Sequence, residues 1–358
     1  AFEDDLRPLG ILQRLYGSTP QVWLDCVFSV FSNKLHMYWD CRDEVFAPGL
    51  VEPMFQEFMR LVRLLARDPE AWDRPLPVRA PKVQLARRAD LYVKEPIPES
   101  TLLDDFLRQA AARPDAPALF DEEGSRSYAQ LRRDVGLLAA AVGARLRGDA
   151  GTVEMPAAAG PRVAVLMDRG WRSVAAELAV MARGGIFVPL DPASPPARRR
   201  AMLRAAAPVL ALVDAAHADD AAAAGVCALD AKEALEEQSR ELDPGEWNAG
   251  PAAYAMMTSG TTGEPKIVTV GHRGLLNAVL HSNSRFGIGP EDRFLGVTSL
   301  HHDLSLYDVF GPLTSGAALV LLPQERAADP GVWTEHILRH RVTVWNSVPA
   351  YHSLLMDH

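Results

Sequence analysis

The residues best suited to chemistry are Thr258, Ser259, Gly260, Thr261, Thr262, Gly263, Glu264, Pro265 and Lys266, at the end of a strand-like run that opens at Tyr254. The two glycines let the backbone bend so that successive N–H groups turn inward, the threonine and serine hydroxyls add donors, and Lys266 brings a mobile positive charge. Together they form a cradle for polyphosphate. The Walker loop is excluded, because it requires adjacent Gly and Lys and here Glu264 and Pro265 intervene. The dinucleotide fingerprint GxGxxG fails too, since a threonine pair separates Gly260 from Gly263. The plain alternative for such a string is a polar turn.

A second cluster runs His301-His302-Asp303-Leu304-Ser305-Leu306-Tyr307-Asp308. Adjacent histidines seldom face one ion, so no metal site is expected here. The HHxxxD signature of condensation-type acyl transfer needs an acid where Leu306 stands. Asp303 is placed to cap a helix over Leu304 to Phe310. Without further context His302 reads as a histidine packed beside a pocket, and Leu304 and Tyr307 as core residues at helical spacing.

These residues need a scaffold, and the apolar pattern supplies one. Runs at Arg162–Met167, Ile186–Leu190, Val209–Val213, Tyr254–Ser259, Phe294–Ser299, Ala317–Leu322 and Val342–Asn346 read as strands, each followed by a segment of helical length. Continuous apolar strands alternating with helices predict an α/β fold with largely parallel sheets flanked by helices. The Ala-rich stretch Asp214 to Gly225 reads as a surface helix and loop. A small α+β segment precedes this: two strand-like runs meet at Ser32-Asn33, and Leu50, Met54, Phe58, Leu61 and Leu65 share one helix face. Between them and residue 98, prolines 75, 77, 81, 96 and 98 break the periodicity. The expected division is 1–72, a linker at 73–97, and 98–358.

The chain has 358 residues and a net charge of −9, which disfavours nucleic acid as a partner because phosphate binding needs clustered positive charge. Its 3 cysteines are too few and scattered for a disulfide framework, which points to a reducing cytoplasm. Its longest apolar stretch is about half the ~20 residues a membrane span needs, so no membrane partner is expected. No export signal is visible, and a start at Ala1 reads as an excerpt from a longer polypeptide.

The string 258–266 resembles the phosphate loop of the adenylate-forming superfamily, and its surroundings resemble the adenylation domains of nonribosomal peptide synthetases. Ser127-Tyr128-Ala129-Gln130-Leu131 is similar to that family's SYxEL block, and Ala182 to Pro192 (ARGGIFVPLDP) to its KAGxxYVPLDP block. His272-Arg273-Gly274 follows at the family's distance, and His302 to Asp308 resembles FDLSxYD, with His302 where phenylalanine is usual. Residues 17–25 and 38–50 resemble the C-terminal end of a heterocyclization domain, the condensation variant that closes Cys, Ser or Thr side chains into five-membered rings.

The resemblance implies ATP with Mg²⁺, a carboxylate attacking the α-phosphorus, and transfer of the aminoacyl group to the phosphopantetheine thiol of a carrier-protein domain. Lys266 and the loop donors Thr258, Ser259, Gly260, Thr261, Thr262 and Gly263 would hold the phosphates. Asp303 would pair with the substrate ammonium, with Leu304, Tyr307, Asn346 and His302 around it. The order Asp, Leu, Tyr, Asn resembles a cysteine-selecting pocket, with serine or a related hydroxy amino acid open. Asp25 stands where the cyclization family carries an aspartate implicated in cyclodehydration; a strand-end aspartate is the plain alternative. The adjoining heterocyclization domain and a small MbtH-like helper protein are the further partners implied. Ile267 stands where the family has glycine, and the family's ribose-binding aspartate and C-terminal lid find no match before His358. Two rivals remain at this point: a stand-alone acyl- or aryl-CoA ligase, which lacks an ammonium-pairing aspartate, and a catalytically incomplete docking fragment.

Overall fold

The fold divides into two compact units, Ala1–Pro96 and Ile97–His358, each packed chiefly against itself. The computed structural model describes residues 22–31, 34–75, 77, 80, 82–91, 96–148, 160–237, 243–258 and 266–358. In the first unit β1 (Leu24–Phe31) and β2 (Lys34–Cys41) pair antiparallel, with Leu24 opposite Cys41 and Phe31 opposite Lys34. Helix α1 (Val51–Arg67) turns Phe55 and Phe58 toward Trp39, both at 5.4 Å between ring centroids. Part of the predicted linker is helical, as α2 (Lys82–Leu91), because no proline or glycine interrupts those residues.

The second unit opens with α3 (Leu102–Ala112), started by a capping box in which Thr101 Oγ1 accepts from the Asp104 N–H at 3.2 Å and Asp104 Oδ2 accepts from the Thr101 N–H at 2.7 Å. The hairpin β3 (Pro117–Asp121) and β4 (Gly124–Ser127) follows, then α4 (Tyr128–Gly148). Neither of these strands is prominent in the apolar pattern, because they are short and half exposed. Next come β5 (Arg162–Leu166), α5 (Trp171–Ala182), β6 (Ile186–Pro189), α6 (Pro196–Ala206), β7 (Leu210–Val213), α7 (Ala218–Ala223), β8 (Ala228–Asp230) and α8 (Ala231–Glu237). The chain continues through β9 (Ala252–Thr258), β10 (Lys266–Gly271), α9 (His272–Phe286), β11 (Arg293–Gly296), α10 (Leu304–Ser315), β12 (Ala318–Leu321), α11 (Pro330–His340) and α12 (Pro349–Asp357).

One sheet has the order β10-β9-β6-β5-β7-β8 and the other β11-β12-β3-β4. All neighbours run parallel except β10 on β9 and β4 on β3. Helix α5 is buried on almost every side, only Arg172 escaping, and one hydrophobic core joins it to residues of both sheets. A helix apolar all round belongs between layers. Its exit needs Gly184 at φ 69° and Gly185, where an added Cβ would stand 2.8 Å from Val180 Cγ1.

Three expectations need correction. The run Val342–Asn346 is not a strand: only Val344 bridges, to Phe294, since the Leu295 N–H donates to Val344 O while the Thr343 hydroxyl turns aside to Asp292. The segment after β9 returns as β10 rather than entering a helix directly. The Ala-rich stretch is not wholly superficial, because Asp220 and Ala221 of α7 are buried, Asp220 between Arg199 and Arg200.

Candidate functional site

The phosphate-loop residues are delivered by a β-pair. Lys266 stands opposite Thr258 in the antiparallel β10–β9 register. Ser259, Gly260, Thr261, Thr262 and Gly263 lie outside the described residues, as does the Thr258 side chain. Lys266 is exposed at the mouth of the pair.

Asp303 sits at the head of α10, where its Oδ1 accepts the Leu304 N–H at 2.9 Å. It is therefore the helix cap that its position in the sequence suggests, and its carboxylate remains exposed. The phenol of Tyr254 has its pKa raised first by burial and then by the negative charge of Asp303. Tyr254 belongs to β9, the strand that ends at Thr258.

Leu304 is 37% exposed beside Asp303, and Tyr307 follows one turn later, half buried. The Tyr307 hydroxyl donates to Asn283 Oδ1 at 3.1 Å, and burial, with Asp308 and Asp292 nearby, pushes its pKa up to about 12. Asn346 Nδ2 donates to Leu304 O at 3.3 Å and to Asp308 Oδ1 at 2.9 Å. The structure therefore brings Asp303, Leu304, Tyr307 and Asn346 to one end of α10, although Asn346 is remote in sequence. His302 is exposed, whereas His301 is half buried with Nδ1 3.8 Å from Asp191 Oδ1. Burial lowers the His301 pKa, and the Asp191 carboxylate partly opposes this. Asp25 lies on β1 of the first unit, opposite Asp40 and half buried.

Sequence reasoning passed over the support beneath these residues. Arg169, just past the carboxyl end of β5, is half-buried and donates to Gly296 O at 3.2 Å and Val297 O at 3.1 Å. Burial lowers its pKa to about 10, and the nearby Asp308 carboxylate works against that. Asp308 is itself raised to about 7 by burial, opposed by its bonds to Asn346 and Thr298 and by Arg169. The signal available was position: polar residues just beyond parallel strands line the crevice of an open α/β sheet. Among the described residues no group of three His, Cys, Asp or Glu side chains could hold a metal ion. No helix among them is long and apolar enough to cross a membrane.

Residues 106–358 match the family described as AMP-binding enzyme. Over 98% of its length the chain is 36% identical to pyochelin synthetase PchF of Pseudomonas aeruginosa, covering 19% of that protein. Over 94% of its length it is 36% identical to phenyloxazoline synthase MbtB of Mycobacterium tuberculosis, covering 23% of that protein. It spans, then, about a fifth of the curated relatives it matches. Among solved structures, the nonribosomal peptide synthetase FmoA3 superposes with a TM-score of 0.71 and 35% identity, over 96% of this chain and 36% of that one. The form of FmoA3 bound to α-methyl-L-serine-AMP gives 0.70 and 36%, over 95% of this chain and 38% of that one.

Proposed function

Because the chain belongs to the AMP-binding enzyme family, we propose that it is the adenylate-forming part of a nonribosomal peptide synthetase that activates a small amino acid, cysteine first. In the reaction a carboxylate oxygen attacks the α-phosphorus of ATP, the bond to the β-phosphate bridging oxygen breaks, and pyrophosphate leaves with that electron pair. Negative charge grows on the leaving group, so Lys266 and the donors of residues 258–263 are suited to stabilise it. Mg²⁺ enters as MgATP, held by the phosphates it accompanies. The aminoacyl group then passes to the phosphopantetheine thiol of a carrier-protein domain, with release of AMP.

The observation that carries this reading is the cluster at the head of α10, where the exposed carboxylate of Asp303 stands beside Leu304 and one turn from Tyr307, with Asn346 bonded to Leu304 O. A carboxylate there selects α-amino acids over plain carboxylic acids, since an ammonium left unpaired in a closed pocket costs several kcal/mol. That is the ground for preferring this reading to a stand-alone CoA ligase. Leu304, Tyr307 and Asn346 offer one apolar wall and two polar tips to a short side chain, with His302 at the rim. The hydroxyl-bearing ligand of FmoA3 favours serine or an α-substituted serine as the second choice. Residues 1–72 fit the end of a heterocyclization domain, in which Asp25 would assist loss of water; the names pyochelin synthetase and phenyloxazoline synthase support that placement. Linker residues 73–97, a small MbtH-like helper and a cytoplasmic setting complete the proposal. The test is amino-acid-dependent exchange of pyrophosphate into ATP by the full-length protein against a panel of amino acids. Cysteine should give the fastest exchange and serine the next; a panel with no amino acid above background refutes the reading.

A further inference from the structure

Glu177 lies in the middle of α5 and is 2% exposed, in a helix otherwise buried through apolar side chains. Nothing in the reaction above uses it. Among the described residues no hydrogen bond ties its carboxyl to protein, and with nothing to offset burial its pKa rises to about 8. It lines a cavity of ≈ 20 Å³ shared with Arg169, Ser173, Ser299, Leu300 and His301. That is about the room one water needs, and the walls carry the polar partners a water needs. Three of those walls, Ser299, Leu300 and His301, belong to the segment that runs directly into Asp303.

We infer that Glu177 is a positioning residue for the amino-acid pocket: it hydrogen-bonds through one water to the Ser299–His301 segment, and so fixes the head of α10 where Asp303 stands. This rests on the amino-acid-activating reading of the site. The charged and titratable groups around Glu177 are Arg169 after β5 and His301 before α10. Asp191 lies behind His301, and Asp308 lies beyond Arg169. Arg169 is already committed to Gly296 O and Val297 O. A neutral Glu177 needs no partner in the cavity beyond that one water. An ionised Glu177 draws further water into the cavity to solvate its charge, loosening the Ser299–His301 segment that walls it. Amino-acid affinity should therefore fall as pH rises through the range in which Glu177 loses its proton.

The experiment compares wild type with Glu177→Gln and Glu177→Val in the full-length protein. The infrared band of protonated carboxylic acid at pH 7 should be stronger in wild type than in both variants, which keep only the contribution of Asp308. Glu177→Val should raise the amino-acid KM about tenfold, the equivalent of one lost hydrogen bond of about 1.4 kcal/mol, with kcat and the KM for ATP little changed. Glu177→Gln should keep the wild-type KM at pH 7 but lose its rise toward pH 9. Amide exchange of residues 299–304 reads the same segment without substrate: about tenfold faster in Glu177→Val, and at the wild-type rate in Glu177→Gln. An acid band no stronger in wild type than in the variants, equal amide exchange in all three proteins, or the same pH dependence of KM in wild type and Glu177→Gln overturns the inference. A protein that shows the expected exchange pattern but activates no amino acid refutes the proposed function and leaves the positioning role standing.

Discussion

Replacing Asp303 with asparagine separates its two roles. As a helix cap Asp303 accepts the Leu304 N–H at 2.9 Å, and asparagine caps about as well as aspartate, so the unfolding free energy should change by only a few tenths of a kcal/mol. As the partner of a substrate ammonium, asparagine is neutral and leaves that charge unmatched. Losing one member of a buried charge pair costs about 2–5 kcal/mol. Asp303 is exposed before substrate arrives and desolvated only in the filled pocket, so the lower half of that range, about 2–3 kcal/mol, applies. This is about a 30- to 150-fold fall in kcat/KM for the amino acid at 1.4 kcal/mol per factor of ten. The assay is pyrophosphate exchange by the full-length protein, run beside thermal unfolding. An analogue lacking the α-amino group supplies the internal control, since its slow exchange should be unaffected by the substitution. An exchange rate for the amino acid within threefold of wild type, with the fold intact, refutes the ammonium-pairing argument.

Two further outcomes follow from the same geometry. Lys266→Ala should lower exchange by about 10²–10³, the usual cost of removing one donor to developing negative charge, while unfolding is unaltered because Lys266 is an exposed strand end; unchanged exchange would count against the phosphate role. Asp308→Asn addresses pH. The folded pKa of Asp308, about 7, lies above its unfolded value of 3.8, so its contribution to stability is full below pH 3.8 and is lost as pH rises to about 7. The asparagine variant should lack that decline, and denaturant titrations that fall in parallel for both proteins between pH 4 and 7 would show the assignment to be wrong.

Much of the scaffold was legible because it rests on local periodicity. The five residues Arg162–Leu166 form β5 and Trp171–Ala182 form α5 within a residue or two of the apolar pattern, since a strand buried on both faces has no polar interruptions. The capping role of Asp303 was readable for the same reason: a cap bonds to its immediate neighbours. Pairings between distant segments were not readable. Val342–Asn346 has the composition of a strand yet contributes one bridge at Val344, because side chains and the edge of β11 compete for its hydrogen bonds.

By itself the sequence determined which residue types could bind phosphate and an ammonium group, the alternation of strands and helices, and the absence of a net positive surface for polyanions. Tertiary structure alone decided that Asn346 reaches across to Leu304 and Asp308, and that Arg169 and Glu177 share a cavity with the segment leading to Asp303. The physical reason is that periodicity reports only whether a residue faces inward. Which neighbour it meets there, and therefore its charge state and its hydrogen bonds, depends on the order in which separate strands assemble into the two sheets.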